Sequence, residues 1–187
     1  DSSYDENKRW PDGLSPFGFK VVEEMNKQGV MIDISHVSDA AFMKVLELSR
    51  APVVATHSSL RHFTPGWERN VSDEMLIALA ENGGVIQLCF GSDFVANRKD
   101  NPDLEVSVKN VVDHIDRVRG LVGIDHVGFG SDFDGEVPLP DDINDVSKFP
   151  NLIEELLIRG YSESEIDKIL NGNILRVWKE VRSLADA

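Results

Sequence analysis

Val30-Met31-Ile32-Asp33-Ile34-Ser35-His36 and Val53-Val54-Ala55-Thr56-His57-Ser58-Ser59 are two short apolar runs, each ending in hydroxyl side chains and a histidine. Two further runs of the same kind, Val85 to Leu88 and Val127 to Phe129, follow downstream. With Val30 to Ile34 and Val53 to Thr56 they make four Val- and Ile-rich segments without polar alternation, the pattern of strands buried on both faces of a parallel sheet.

Helical patterns separate the runs. Ser15 suits an N-cap and Pro16 the first helical position of a segment carrying Phe17, Val21, Val22 and Met25, with Gly29 as its stop. Ser38 caps a second helix with Ala41, Phe42, Val45 and Leu46, and Ser72 a third that stops at Asn82-Gly83-Gly84. Val108, Val111, Val112, Ile115, Val118 and Val122 keep a three-four rhythm closed by Gly123. Helical stretches at Leu152 to Ile158, Ile166 to Leu170 and Ile174 to Leu184 follow, with a Ser162/Glu165 capping box. Strand, loop and helix repeated four times predicts an α/β fold with right-handed crossovers, either a doubly wound sheet or part of a (β/α)8 TIM-type barrel. Four units fill the chain from Val30 to Ala187, so eight would need roughly twice that length, and the barrel is favoured. Residues 1–187 then make about the last four βα units, with the acidic opening 1–12 a loop anchored by Trp10.

Of the 187 residues, 41% are hydrophobic and 28% charged, a composition that supports one packed core. The formal charge of −14 argues against nucleic acid or an anionic membrane as partner. Cys89 stands alone, which excludes an intrachain disulfide or a multi-cysteine zinc knuckle and leans the chain towards the cytoplasm. No apolar run is long enough to span a membrane, and no leader is read.

His36 and His57 sit at equivalent places in consecutive units. Neighbouring strands lie about 4.8 Å apart, so two such imidazoles can reach one ion, and neutral imidazole suits zinc. Either histidine alone reads as a hydrogen-bonding loop residue; the repeated position favours metal. Asp33 is either an acceptor orienting these groups or a strand-end polar residue. In Gly128-Phe129-Gly130-Ser131-Asp132-Phe133-Asp134-Gly135, Asp132 either is expected to face the same axial cavity as the histidines, where it could take a proton from, or orient, a water, or is part of an ordinary glycine-punctuated turn. Phe133 stands where a dinucleotide-binding loop needs its third glycine. Arg69, in Trp67-Glu68-Arg69-Asn70, could clamp a carboxylate with its planar fork or form a surface ion pair. His62 and His114 lack matching partners, and His126 reads as structural. Ser58 and Ser59 lack a nucleophile elbow and read as loop hydrogen-bonding groups; Cys89 reads as a small apolar filler.

Gly13-Leu14-Ser15-Pro16-Phe17-Gly18, Asp33-Ile34-Ser35-His36-Val37-Ser38, His57-Ser58-Ser59, Arg69-Asn70-Val71-Ser72-Asp73, Gly130-Ser131-Asp132-Phe133-Asp134-Gly135 and Asn173-Ile174-Leu175-Arg176-Val177 together resemble the renal (membrane) dipeptidase family of zinc metallopeptidases. The resemblance implies a barrel with two zinc ions that hydrolyses dipeptides. It implies that His36 and His57 hold one zinc, that Arg69 binds the substrate's free carboxylate and that Asp132 contacts the bridging water. The family's other ligands, a His-x-Asp pair and a bridging glutamate, have no counterpart from Asp1 onward. The chain is therefore expected to supply one partial zinc site, to need an N-terminal half-barrel as partner, and to be inactive by itself. An opened barrel exposes strand edges, which predicts self-pairing into a homo-oligomer or aggregation. The competing readings are an amidohydrolase acting on a non-peptide amide or lactone, and a non-catalytic barrel that has lost its metals.

Overall fold

A computed structural model describes residues 1–185. Among them three strands, β1 (Val54–Ser58), β2 (Val85–Cys89) and β3 (Val127–Ser131), pair in parallel in the order β1-β2-β3. Eight helices are α1 (Pro16–Gln28), α2 (Asp39–Leu48), α3 (Asp73–Glu81), α4 (Ser92–Val95), α5 (Val108–Val122), α6 (Phe149–Ile158), α7 (Glu163–Asp167) and α8 (Asn173–Ser183).

The first apolar run departs from expectation. Residues 30–34 lie beside β1 without forming a strand: Asp33 makes one parallel bridge to Val54, the Ile34 N–H donates to the Val54 carbonyl at 2.8 Å, and the Val54 N–H donates to the Ile32 carbonyl at 3.0 Å. The Asp33 carboxylate accepts the Ser35 N–H at 2.9 Å, which turns the chain and ends the pairing. The other strands run one or two residues beyond their apolar cores, so His57 lies within β1 rather than past its end. Both ladders slip near the same level. The β1–β2 register shifts between Ala55 and Ser58, and the β2–β3 register shifts where Leu88 pairs Phe129 but Cys89 pairs Ser131. Such bulges re-aim side chains at a strand end. Gly130 sits at the second slip, where a Cβ would fall 2.2 Å from the Thr56 carbonyl oxygen.

The caps follow the sequence closely. The Ser15, Ser38 and Ser72 hydroxyls accept the N–H groups of Gly18, Ala41 and Met75 at 3.0, 3.3 and 3.3 Å, and Gly29 ends α1 at φ 65°. Ser162 and Glu165 cap α7 reciprocally, and one wide helical turn, Lys168–Gly172, joins it to α8. Val53, Ala55, Ile86, Leu88 and Val127 enter the main core with residues of α2, α3, α5 and α6, while Val54 and Val85 pack with Val177 and Val181 of α8. The opening segment is fixed by its backbone rather than by Trp10, which is exposed. Ser2 bridges Val37, and the Ser3 N–H donates to the His36 carbonyl at 2.8 Å.

His114, fully buried on α5, accepts the Leu60 N–H on Nδ1 at 3.0 Å and meets the Val95 carbonyl through Nε2 at 3.1 Å. It is a structural tie between two loops. Burial pushes its pKa down to about 4. The unfolded chain, with a histidine near 6.5, binds the extra proton first. The contribution is therefore complete above about pH 6.5 and fades towards pH 4, by roughly 3 kcal/mol. An NMR titration should place the His114 midpoint near 4, with unfolding free energy falling across the same window; protonation near 6.5 in the folded state would contradict this.

Candidate active site

Both bulges lie where the hydroxyl and imidazole groups collect. Asp33 accepts from the Thr56 N–H at 3.0 Å and from the Thr56 hydroxyl at 2.6 Å. With its proton given to Asp33, the Thr56 oxygen is left to accept from His57 Nδ1, 2.6 Å away. The relay selects the His57 tautomer: in the neutral ring Nδ1 carries the proton and Nε2 presents a lone pair. Ser35 secures the same strand end, its hydroxyl accepting the His57 N–H at 3.1 Å and lying 3.2 Å from the Ser58 hydroxyl.

His36 comes from the turn after the first run. Its φ of 67° is left-handed, a conformation that side chains adopt at a cost of about 1 to 3 kcal/mol and that recurs at functional sites. The strain delivers Nε2 to within 2.8 Å of His57 Nε2. Arg69 Nη2, which can only donate, lies 3.0 Å from His36 Nε2 and 2.7 Å from the His57 carbonyl, and Nη1 donates to Ser58 at 2.8 Å. Arg69 is buried, and its Nε has no hydrogen-bond partner among the described residues. Desolvation of the His36 ring first, then the charges of Arg69 and His57, hold its pKa below the ordinary histidine value; Asp132 and Asp33 oppose them. In the neutral rings both facing nitrogens are lone-pair carriers, an arrangement that a cation resolves.

Asp132 approaches from β3. Ser131 and Asp132 are left-handed at φ 42° and 69°, and the half-buried carboxylate accepts from the Cys89 thiol at 3.7 Å. Burial pushes that thiol up to about 12, so it remains a donor. Phe133 turns away into an edge-to-face cluster with Phe90 and Phe149, at ring separations of 5.8 and 6.1 Å. Among the described residues no three His, Cys, Asp or Glu side chains converge closely enough to hold a metal. The histidine pair is a donor set of two.

The sequence model of the membrane dipeptidase family (peptidase family M19) matches residues 1–187. The chain belongs to the membrane dipeptidase family. Dipeptidase 3 of Macaca fascicularis is 40% identical over 174 residues, which are 93% of this chain and 34% of that protein. The chain thus spans about a third of the length of the curated relatives it matches. The probable dipeptidase PvdM from Pseudomonas aeruginosa superposes with a TM-score of 0.88 at 33% identity, covering 99% of this chain and 60% of that one. A metallopeptidase from Rhodobacter sphaeroides, crystallised with a phosphinate mimic of L-Ala-D-Ala, has a TM-score of 0.84 at 34% identity over 93% of this chain and 50% of its own.

In this membrane dipeptidase family member, sequence patterns named the two histidines, Arg69 and Asp132, and the fold brings them to one end of the sheet. Thr56 and Ser35 were not singled out, although a hydroxyl preceding each histidine was a visible signal. Ser58 and Ser59 are hydrogen-bonding groups, Ser59 donating to the Cys89 carbonyl at 3.1 Å. His62 stacks edge-on against Phe63, and His126 bonds the Gly84 carbonyl at the far end of the strands. Asp132→Gly should relieve left-handed strain and leave stability unchanged or raised by about 1 kcal/mol. Denaturant unfolding would show it, and a clear loss of stability would mean that the turn is unstrained.

Proposed function

We propose that this chain is the C-terminal part of a (β/α)8 barrel that hydrolyses dipeptides with zinc, contributing about its last four βα units. The observation that carries the reading is the approach of His36 Nε2 and His57 Nε2 to 2.8 Å, two nitrogens that both present lone pairs when the rings are neutral. Uncharged imidazole nitrogens are borderline-soft donors suited to zinc, and the Asp33–Thr56–His57 relay is the kind of outer support that orients such a ligand. When bound, the metal supplies Lewis-acid polarisation of the scissile carbonyl and activation of water.

The chain's own groups take the remaining roles. Arg69 offers a cationic fork with an unused Nε donor, suited to a substrate's terminal carboxylate. Releasing its hydrogen bond to His36 frees that lone pair for the metal. Asp132, whose side chain among the described residues accepts only from the Cys89 thiol, is placed to hold the attacking water and accept its proton. The dipeptide mimic in the Rhodobacter sphaeroides relative favours a dipeptide over another amide or a lactone as substrate.

Two histidines fall short of the three protein ligands usual for catalytic zinc. The remaining ligands, and the cover for the open edges beside residues 30–34 and β3, come on this reading from the rest of the barrel. Calorimetric titration with zinc should show weak binding by the 187-residue chain, lost in His36→Ala and in His57→Ala. Thr56→Val should weaken it by roughly 10- to 100-fold. Unchanged zinc affinity in both histidine variants would refute the metal role. The chain by itself should turn over no dipeptide, whereas the completed barrel should, with Arg69→Lys acting mainly on KM; brisk turnover by the chain alone would refute the division of ligands.

A further inference from the structure

Asp132 is held in place by two features that are not themselves reactive. The first is an empty space. Gly135 follows in the same tight turn, its N–H donating to the Asp132 carbonyl at 3.1 Å, and the Asp132 carboxylate lies flat against its α-carbon. A Cβ at position 135 would stand 2.3 Å from Oδ1, 2.7 Å from Cγ and 2.8 Å from Oδ2. All three contacts are to the mobile end of one side chain, so an added methyl would drive the carboxylate aside and leave the backbone where it is. The second feature is Cys89. Its thiol, fully buried at the end of β2, donates to Oδ2 at 3.7 Å. Phe133, packed against Phe90 and Phe149, ties the turn next to Asp132 to the core.

We infer that Gly135 and Cys89 are positioning residues that fix the rotamer of the Asp132 carboxylate towards the histidine pair. The inference rests on the water-holding role given above to Asp132. A side chain with two rotatable torsions, half-buried beside a metal site, can turn to several orientations, and only one puts an oxygen in line with the reacting carbonyl. The space at Gly135 and the weak donor at Cys89 together select that orientation without neutralising the carboxylate. A lysine or arginine partner would hold it more tightly and remove its basicity.

The test uses the completed barrel with zinc. Gly135→Ala should lower kcat by on the order of 100-fold, the scale of an ångström-sized misplacement of a reacting group, with KM and the unfolding temperature little changed. Cys89→Ala should lower kcat by a smaller factor, and Cys89→Ser, which restores a donor, should recover part of it. A further readout does not depend on turnover. The S–H stretching band, isolated as the infrared difference between the wild-type protein and Cys89→Ala, should shift to higher frequency in Gly135→Ala as the acceptor moves away. Full kcat in Gly135→Ala, with Asp132→Asn inactive, overturns the inference alone. So does an S–H band that stays in place. Full kcat in Asp132→Asn overturns the role of Asp132 and the inference with it. Should Gly135→Ala unfold, the Cys89 pair decides the matter: full kcat in Cys89→Ala overturns the inference, and a loss partly restored in Cys89→Ser upholds it.

Discussion

Two imidazole nitrogens 2.8 Å apart cannot both present lone pairs to each other without a positive charge between or beside them. That electrostatic constraint organises the upper end of the sheet. The Asp33–Thr56 relay takes away any freedom His57 has to place its proton on Nε2. Arg69 supplies positive charge beside His36, burying a guanidinium to do so, and burial depresses its pKa. Such a cluster is costly in a folded protein unless a ligand completes it.

The backbone carries its share of the cost. His36, Ser131 and Asp132 are left-handed without being glycine, and the strand registers slip at Thr56–His57 and at Gly130. These irregularities lie together at the C-terminal end of the parallel strands, the end where such sheets place their chemistry. Elsewhere the chain obeys local rules: serine caps open α1, α2 and α3, a glycine closes α1, and aliphatic side chains fill the core. Strain confined to one edge of an otherwise regular scaffold marks a functional edge.

Much of this was legible in the amino-acid order. The three strand cores, the capping residues and the recurrence of a histidine in consecutive units are local patterns, and local patterns survive without tertiary knowledge. The first run was the exception. Val30 to Ile34 has a strand's composition, but Asp33 spends its side chain on the Ser35 and Thr56 amides and so ends the ladder after one bridge. The anchoring of the first residues was also misread, because Trp10 is exposed while the Ser2–Val37 bridge does the holding. His114 had no partner in sequence because its partners, Leu60 and Val95, lie far along the chain.

Residue type and spacing alone determined that the chain is built of βα units, that it carries two imidazoles at matched positions, and that an arginine and a glycine-flanked aspartate stand ready to join them. Only the tertiary structure decided which nitrogen of His57 is bare, that Arg69 lies buried against both histidines, and that Cys89 and Gly135 enclose Asp132. The division has a physical cause. Periodicity and capping are short-range properties of the backbone, whereas protonation and side-chain aim depend on groups brought together from distant segments by strand pairing and bulges.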